Sequence, residues 1–171
     1  FTPGRAYSPS DLPPFSFVLK DFYARYQATG MQAGAARAFH ADVAVKDDAN
    51  SPSRTVRIKV NEPLRVNGVT VYLVGHGYAP TFTVRDSKGK VVWQDSAVFL
   101  PQDGNFTSSG VVKAPDSIPQ LGLQGFFLPT VTKDFSMGPR SIFPAPEDPK
   151  VFLSAWQGDL GLDSGVPQSV Y

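Results

Sequence analysis

His76 stands between Gly75 and Gly77 at the end of an apolar run, where missing side chains let a ligand approach the backbone and the imidazole act as a ligand. The same two glycines equally suit a bulge or a sheet corner, with His76 in solvent. His40 shares a parity with Asp42 and reads as a surface histidine. Two histidines, no cysteine and no His/Glu spacing make a poor metal site. No Gly-x-Ser-x-Gly elbow is present. Triads are assembled in space, so a hydrolase site scattered along the chain stays open as a reading. Asp159 and Asp163 lack the spacing of a calcium loop, and their glycines suit ordinary turns. Asn105-Phe106-Thr107 has the form of a glycosylation acceptor.

Apolar surface is the stronger signal. Tyr72, Val74 and Tyr78 around the histidine, and Phe126, Phe127, Phe135, Met137 and Phe143 further on, exceed what one sheet layer obviously buries. Either residues 121–149 fold over that face as a covering loop, or a partly open apolar groove remains for a partner. Those eight side chains are the candidate interaction residues, with His76 a weak ligand candidate. No catalytic residue and no metal ligand is assigned.

The elements that must position them alternate with a period of two. Residues 54–100 read as a β-meander, with Val56, Ile58 and Val60 on one face and Thr55, Arg57 and Lys59 on the other. Asn67-Gly68 predicts a type I′ hairpin turn. Residues 69–74 (VTVYLV) are apolar on both faces and are expected to form a central strand covered twice. Phe82 and Val84 start another strand, and Asp86-Ser87-Lys88-Gly89 turns into Val91-Val92-Trp93.

Upstream, residues 1–14 read as an extended linker. Phe15, Phe17 and Leu19 and then Phe22, Ala24 and Tyr26 alternate with a parity flip near Lys20-Asp21, which predicts a β-bulge. Phe39, Ala41, Val43 and Val45 form the inward face of a second strand, though Ala35-Ala36-Arg37 also suits one helical turn. Downstream, one short strand is expected at Val111-Val112. Residues 121–149 hold five prolines and three glycines and read as a long connection that cannot be a central strand. Residues 151–156 return as a strand.

Composition sets the frame. With 171 residues, 16 prolines and 15 glycines, the chain suits one all-β, mostly antiparallel, sandwich-like domain over 15–171 with a Pro-rich covering loop. A net charge of +1 supplies no field for nucleic acid. Zero cysteines exclude disulfides and thiol chemistry within the chain. No apolar run is long enough to span a bilayer, and no signal peptide opens the chain. A piece of a longer protein is expected, with any membrane anchor outside it.

Specific strings narrow this further. They are Val60-Asn61-Glu62-Pro63-Leu64 with Gly68 and Val71-Tyr72, then Gly75-His76-Gly77-Tyr78-Ala79-Pro80. Gly110-Val111-Val112-Lys113-Ala114-Pro115-Asp116, Gly125-Phe126-Phe127-Leu128-Pro129-Thr130 and Gly158-Asp159-Leu160-Gly161-Leu162-Asp163-Ser164-Gly165 follow in order. In this succession the chain resembles the extracytoplasmic domain of the ResB family, the cytochrome c biogenesis proteins of system II.

The resemblance implies a domain on the outer face of the cell membrane, carried by a membrane protein that works with a haem-handling membrane partner. That pair attaches haem to the CXXCH motif of apocytochrome c, whose thiols thioredoxin-like proteins keep reduced. Haem is then a cofactor of the parent complex, a cytochrome c haem lyase, with none expected in this domain; His76 is the one weak candidate for haem iron. A binding and scaffolding domain with no catalysis of its own is the expectation. The alternative is an extracellular β-sandwich that binds a carbohydrate or cell-wall ligand, with Trp93 and Trp156 as stacking platforms.

Overall fold

Period-two alternation becomes strand throughout. The computed structural model describes residues 12–134 and 136–162, and among these it holds eleven β-strands and no α-helix. In order they are β1 (Ser16–Tyr26), β2 (Ala36–Lys46), β3 (Arg54–Lys59), β4 (Leu64–Val66), β5 (Val69–Val71), β6 (Thr81–Arg85), β7 (Val91–Ser96), β8 (Phe99–Pro101), β9 (Ser108–Ala114), β10 (Gln120–Leu128) and β11 (Lys150–Gly158). Every pairing between named strands is antiparallel. The protein is all-β, as its alternation predicts. The chain divides into two compact units, Phe1–Gly75 and His76–Tyr171, a division that the strand pattern over 15–171 does not signal.

In the first unit β1, β2 and β3 form a sheet in that order, and the β4–β5 hairpin packs on one face of it. Ala41, Val43 and Val45 of β2 are buried with Ile58, Leu64 and Val66, as the parity of each strand requires. The helical alternative at Ala35-Ala36-Arg37 gives way to the start of β2 at Ala36. The parity flip is a bulge: Leu19 pairs with Val43 and Asp21 with Asp42, leaving Lys20 over. Asn67 (φ 49°) and Gly68 (φ 78°) both lie in the left-handed region that a type I′ turn demands. Val56 and Ile58 turn inward, whereas Val60 lies beyond β3 and is exposed.

One expectation fails here. The run 69–74 is a strand only to Val71, in a two-stranded sheet, and its second face is open: Tyr72 is 61% exposed and Val74 96%. Val71 and Leu73 do pack on the core. The parity is right and the double covering is not, because an apolar second face does not create a layer to cover it.

The second unit repeats the plan. Its sheet runs β11-β10-β9-β8, and the β6–β7 hairpin packs on one face, with Phe82 and Trp93 against Phe99, Val112 and Phe127. The polar turn between β6 and β7 is closed by Asp86 Oδ1, which accepts from the backbone N–H of Lys88 and Lys90 at 2.9 Å each. The short strand expected at Val111-Val112 is the seven-residue β9, in the sheet interior.

The larger correction concerns residues 121–149. Leu121–Leu128 lie in β10, an interior strand paired on both sides. All five prolines of the segment stand at Pro129 or later, so none obstructs the ladder. Glycine at 125 serves strand packing rather than a turn, since a Cβ there would lie 1.9 Å from the Phe152 carbonyl oxygen. What remains loop, from 129 on, is held by buried hydroxyls: Thr130 Oγ1 donates to the Ala145 carbonyl (2.5 Å) and Ser141 Oγ to that of Phe143 (2.9 Å). These side chains supply hydrogen bonds in a segment whose prolines have no N–H to give. Among the described residues, no helix is long and apolar enough to cross a membrane.

Candidate functional site

Among the described residues, each of the two larger sheets has one face covered by its hairpin and one left open, and the two open faces differ in chemistry. In the first unit the open face carries His40 and Asp42 of β2. The Tyr23 ring stacks on His40 at 4.9 Å, and Arg57 donates two 2.7 Å hydrogen bonds, from Nε and Nη2, to the Asp42 carboxylate. That fork holds the Asp42 pKa below the usual carboxylate range and raises that of Arg57. This is a solvated, charge-paired surface.

The open face of the second unit is apolar at its centre, with Lys113 of β9 on the same parity as Val111. Register places Phe126 beside Ser109 on one side and Phe152 on the other, with Gln124 between Val111 and Ser154. The odd-numbered residues of β10, Leu123 and Phe127, turn to the core, so Gln124 and Phe126 turn out. Around them lies a groove of about 590 Å³ lined by Val98, Leu100, Val111, Phe126, Trp156 and the polar Ser109, Gln124 and Ser154. Gly110 and Gly125, direct cross-strand partners, complete the lining. Leu100 is 64% exposed, Phe126 43% and Trp156 37%. None of the lining residues is charged; Lys113 follows two residues along from Val111. An open, uncharged, aromatic-walled trough on a rigid sheet can hold an apolar chain or a flat ring, with Ser and Gln side chains for orientation.

The candidate residues are dispersed. Phe126 lines the groove, while Phe127, next to it, is buried in the core. Phe143 is half-buried in the loop and Met137 is exposed. Phe135 lies outside the described residues. Tyr72 and Val74 stay exposed on the first unit. Tyr78 is half-buried, donates from its phenol to the Pro144 carbonyl at 2.6 Å, and packs its ring on Phe127 at 5.0 Å; burial raises its pKa. Of the alternative stacking platforms, Trp93 packs on the core and Trp156 faces the groove.

His76 belongs to an aromatic cluster. Its ring lies 4.6 Å from that of Phe106 and 6.3 Å from that of Tyr78. Phe106 has φ 59°, a conformation that costs an aromatic residue roughly 1–2 kcal/mol. The Asp103 turn holds it there, with Asp103 Oδ1 accepting from the N–H groups of Asn105 and Thr107 at 2.9 Å. The triplet read as a glycosylation acceptor thus supplies the ring that covers His76.

Burial lowers the His76 pKa below its ordinary 6.5. Below pH 6.5 the unfolded chain takes up a proton that the folded chain resists, so stability falls as pH drops from 6.5 through the lowered pKa, and His76 adds no pH dependence above that window. Denaturant unfolding at pH 7.5 and at pH 5.5 is expected to show this decline, reduced in His76→Gln. Equal declines in both proteins would show the imidazole protonating freely in the folded state.

Among the described residues, no group of three or more His, Cys, Asp or Glu side chains could hold a metal ion. The groove residues that the linear pattern missed are Val98, Leu100, Ser109, Gly110, Val111, Gln124, Gly125 and Ser154. Their signal was present as alternation in 121–128, with Leu121, Leu123 and Phe127 at odd positions and Gln124 and Phe126 at even ones. Compared with known proteins, the chain matches the model of the ResB-like family over residues 1–171. No curated protein and no solved structure matches it.

Proposed function

The chain belongs to the ResB-like family, whose role is in cytochrome c biogenesis, and from that premise we propose that it is a binding and scaffolding domain that holds apocytochrome c while haem is attached. The single observation that carries this reading is the open groove of the second unit. Soluble surfaces rarely leave so many large apolar side chains contiguous without a partner. The first unit, built on the same plan, carries the Asp42–Arg57 ion pair on its corresponding face.

In this proposal the domain lies on the extracytoplasmic side, carried by a membrane protein, beside a haem-handling membrane partner and a thioredoxin-like reductant. The groove lining has none of the His, Met, Cys or Tyr side chains that hold haem iron. In this proposal haem is handled by the parent complex and the polypeptide by this domain.

The test is binding of a synthetic peptide spanning the CXXCH motif of an apocytochrome c, with serine for cysteine and uncharged flanks, to the 171-residue chain. Phe126→Ala with Trp156→Ala is expected to weaken it at least about tenfold, since truncating aromatic anchors of a binding site typically costs more than about 1 kcal/mol each. Unchanged affinity in the double variant would remove the groove from the client site. Trp156 beside Ser154 and Gln124 also suits a sugar ring, so cell-wall oligosaccharides belong in the same titration; binding of these instead of the peptide would favour the carbohydrate reading.

A further inference from the structure

Four strands stand at the edges of the two larger sheets, and three of them carry devices that discourage pairing with another chain. β1 is broken by a bulge at Lys20. β3 has six residues, of which Arg54, Arg57 and Lys59 are charged. β8 has three residues and ends at Pro101. Bulges, edge charges, prolines and brevity are the usual protections of an exposed strand.

β11 has none of them beyond its first residue. From Val151 to Gly158 it contains no charge and no proline. Its register with β10 runs unbroken from Gln120↔Gly158 to Leu128↔Lys150, and β10 is its one partner strand among the described residues. Two of its side chains, Ser154 and Trp156, also line the groove. A strand added outside β11 therefore continues the groove's own sheet.

We infer that the outer edge of β11 takes an extended, uncharged segment of the client by main-chain hydrogen bonding, with alternate client side chains turned onto the open face beside Ser154 and Trp156. This deepens the client-binding reading and rests on it. At about 3.3 Å per residue the uncharged edge from Val151 to Gly158 offers roughly 26 Å, the length of about eight extended residues. Pairing through the backbone ignores side-chain identity, which suits an unfolded partner whose sequence varies around a short shared motif. Charge selects the segment: with no ionic group from Val151 to Gly158 or on the groove lining, a charged client residue would be desolvated there without a counter-charge.

The experiment uses the 171-residue chain and nine-residue versions of the same CXXCH-derived peptide, each N-methylated at a single backbone position. An added strand presents every second N–H to β11, so affinity is expected to fall at least about tenfold at alternate positions and stay unchanged at those between. Ala155→Lys on β11 is expected to abolish binding while leaving the thermal midpoint in place. Binding of the parent peptide with no period-two pattern would overturn edge pairing and leave the groove reading standing. No binding of the parent peptide would sink the client reading itself. A dimer in sedimentation that Ala155→Lys dissociates would give the edge to a second copy and overturn the inference.

Discussion

Phe99→Ala is expected to lower the stability of the chain by about 3–5 kcal/mol, a large share of the roughly 5–15 kcal/mol available to a typical domain. Phe99 is fully buried, and it is where the covering layer and the sheet of the second unit meet. Its ring stacks with Phe82 of the hairpin at 6.0 Å and meets Phe127 of β10 edge-on at 6.4 Å. Its backbone N–H donates to the Tyr78 carbonyl at 3.0 Å. The ring lies over Gly110, its direct partner on β9: a Cβ at 110 would meet ring atoms at 2.6–2.8 Å. The glycine is thus a hole that the ring fills, and alanine at 99 would leave the hole empty.

Denaturant unfolding measures the loss, and a second substitution isolates its cause. Gly110→Ala should be destabilising in the parent and close to neutral in the Phe99→Ala background, because the atoms it collides with are gone. The difference is the coupling of a contacting pair, about 0.5–3 kcal/mol. Additive effects, or a loss below about 1 kcal/mol for Phe99→Ala, would show that the ring is not the keystone of this core.

The second large effect falls on the functional strand. Gly125→Ala is expected to cost about 3 kcal/mol or more, beyond ordinary overpacking, because the new methyl would lie 1.9 Å from the Phe152 carbonyl oxygen and 3.1 Å from the Leu153 Cα. Both neighbours are backbone, so neither can rotate away and β11 must separate from β10. The substitution therefore attacks the groove wall and the pairing edge together, and client-peptide binding should be lost even where the chain still folds. Gly104→Ala is the control: a Cβ there meets nothing within 4 Å, and its effect on unfolding should stay within about 0.5 kcal/mol. Equal midpoints for the two variants would mean that β10 and β11 are less tightly apposed than the structure has them.

Local features were legible because they are written in neighbouring residues. The bulge at Lys20 follows from Leu19 and Phe22 both wanting one face, and the β4–β5 turn from Asn67-Gly68, whose positive φ values few other pairs tolerate. Ala41, Val43 and Val45 follow from their spacing. β10 is illegible for a definite reason: taken as one segment, 121–149 lends the prolines that begin at Pro129 to the eight residues 121–128, which have none. Gly125 is a strand position where two backbones lie too close for a methyl group. Phe106 was missed because its left-handed backbone is imposed by Asp103 and rewarded by a ring, His76, that lies thirty residues away in sequence.

By itself the sequence determined the all-β character, several turns, the inward face of β2 and the family, since all of these depend on alternation, turn chemistry and ordered short strings. Only the tertiary structure decided which face each sheet keeps open and which edge strand stays unprotected. Side-chain parity is a property of one strand's backbone, whereas covering a face needs a second element from elsewhere in the chain. For that reason Phe126 and Phe127, adjacent and chemically identical, end on a groove wall and in a core.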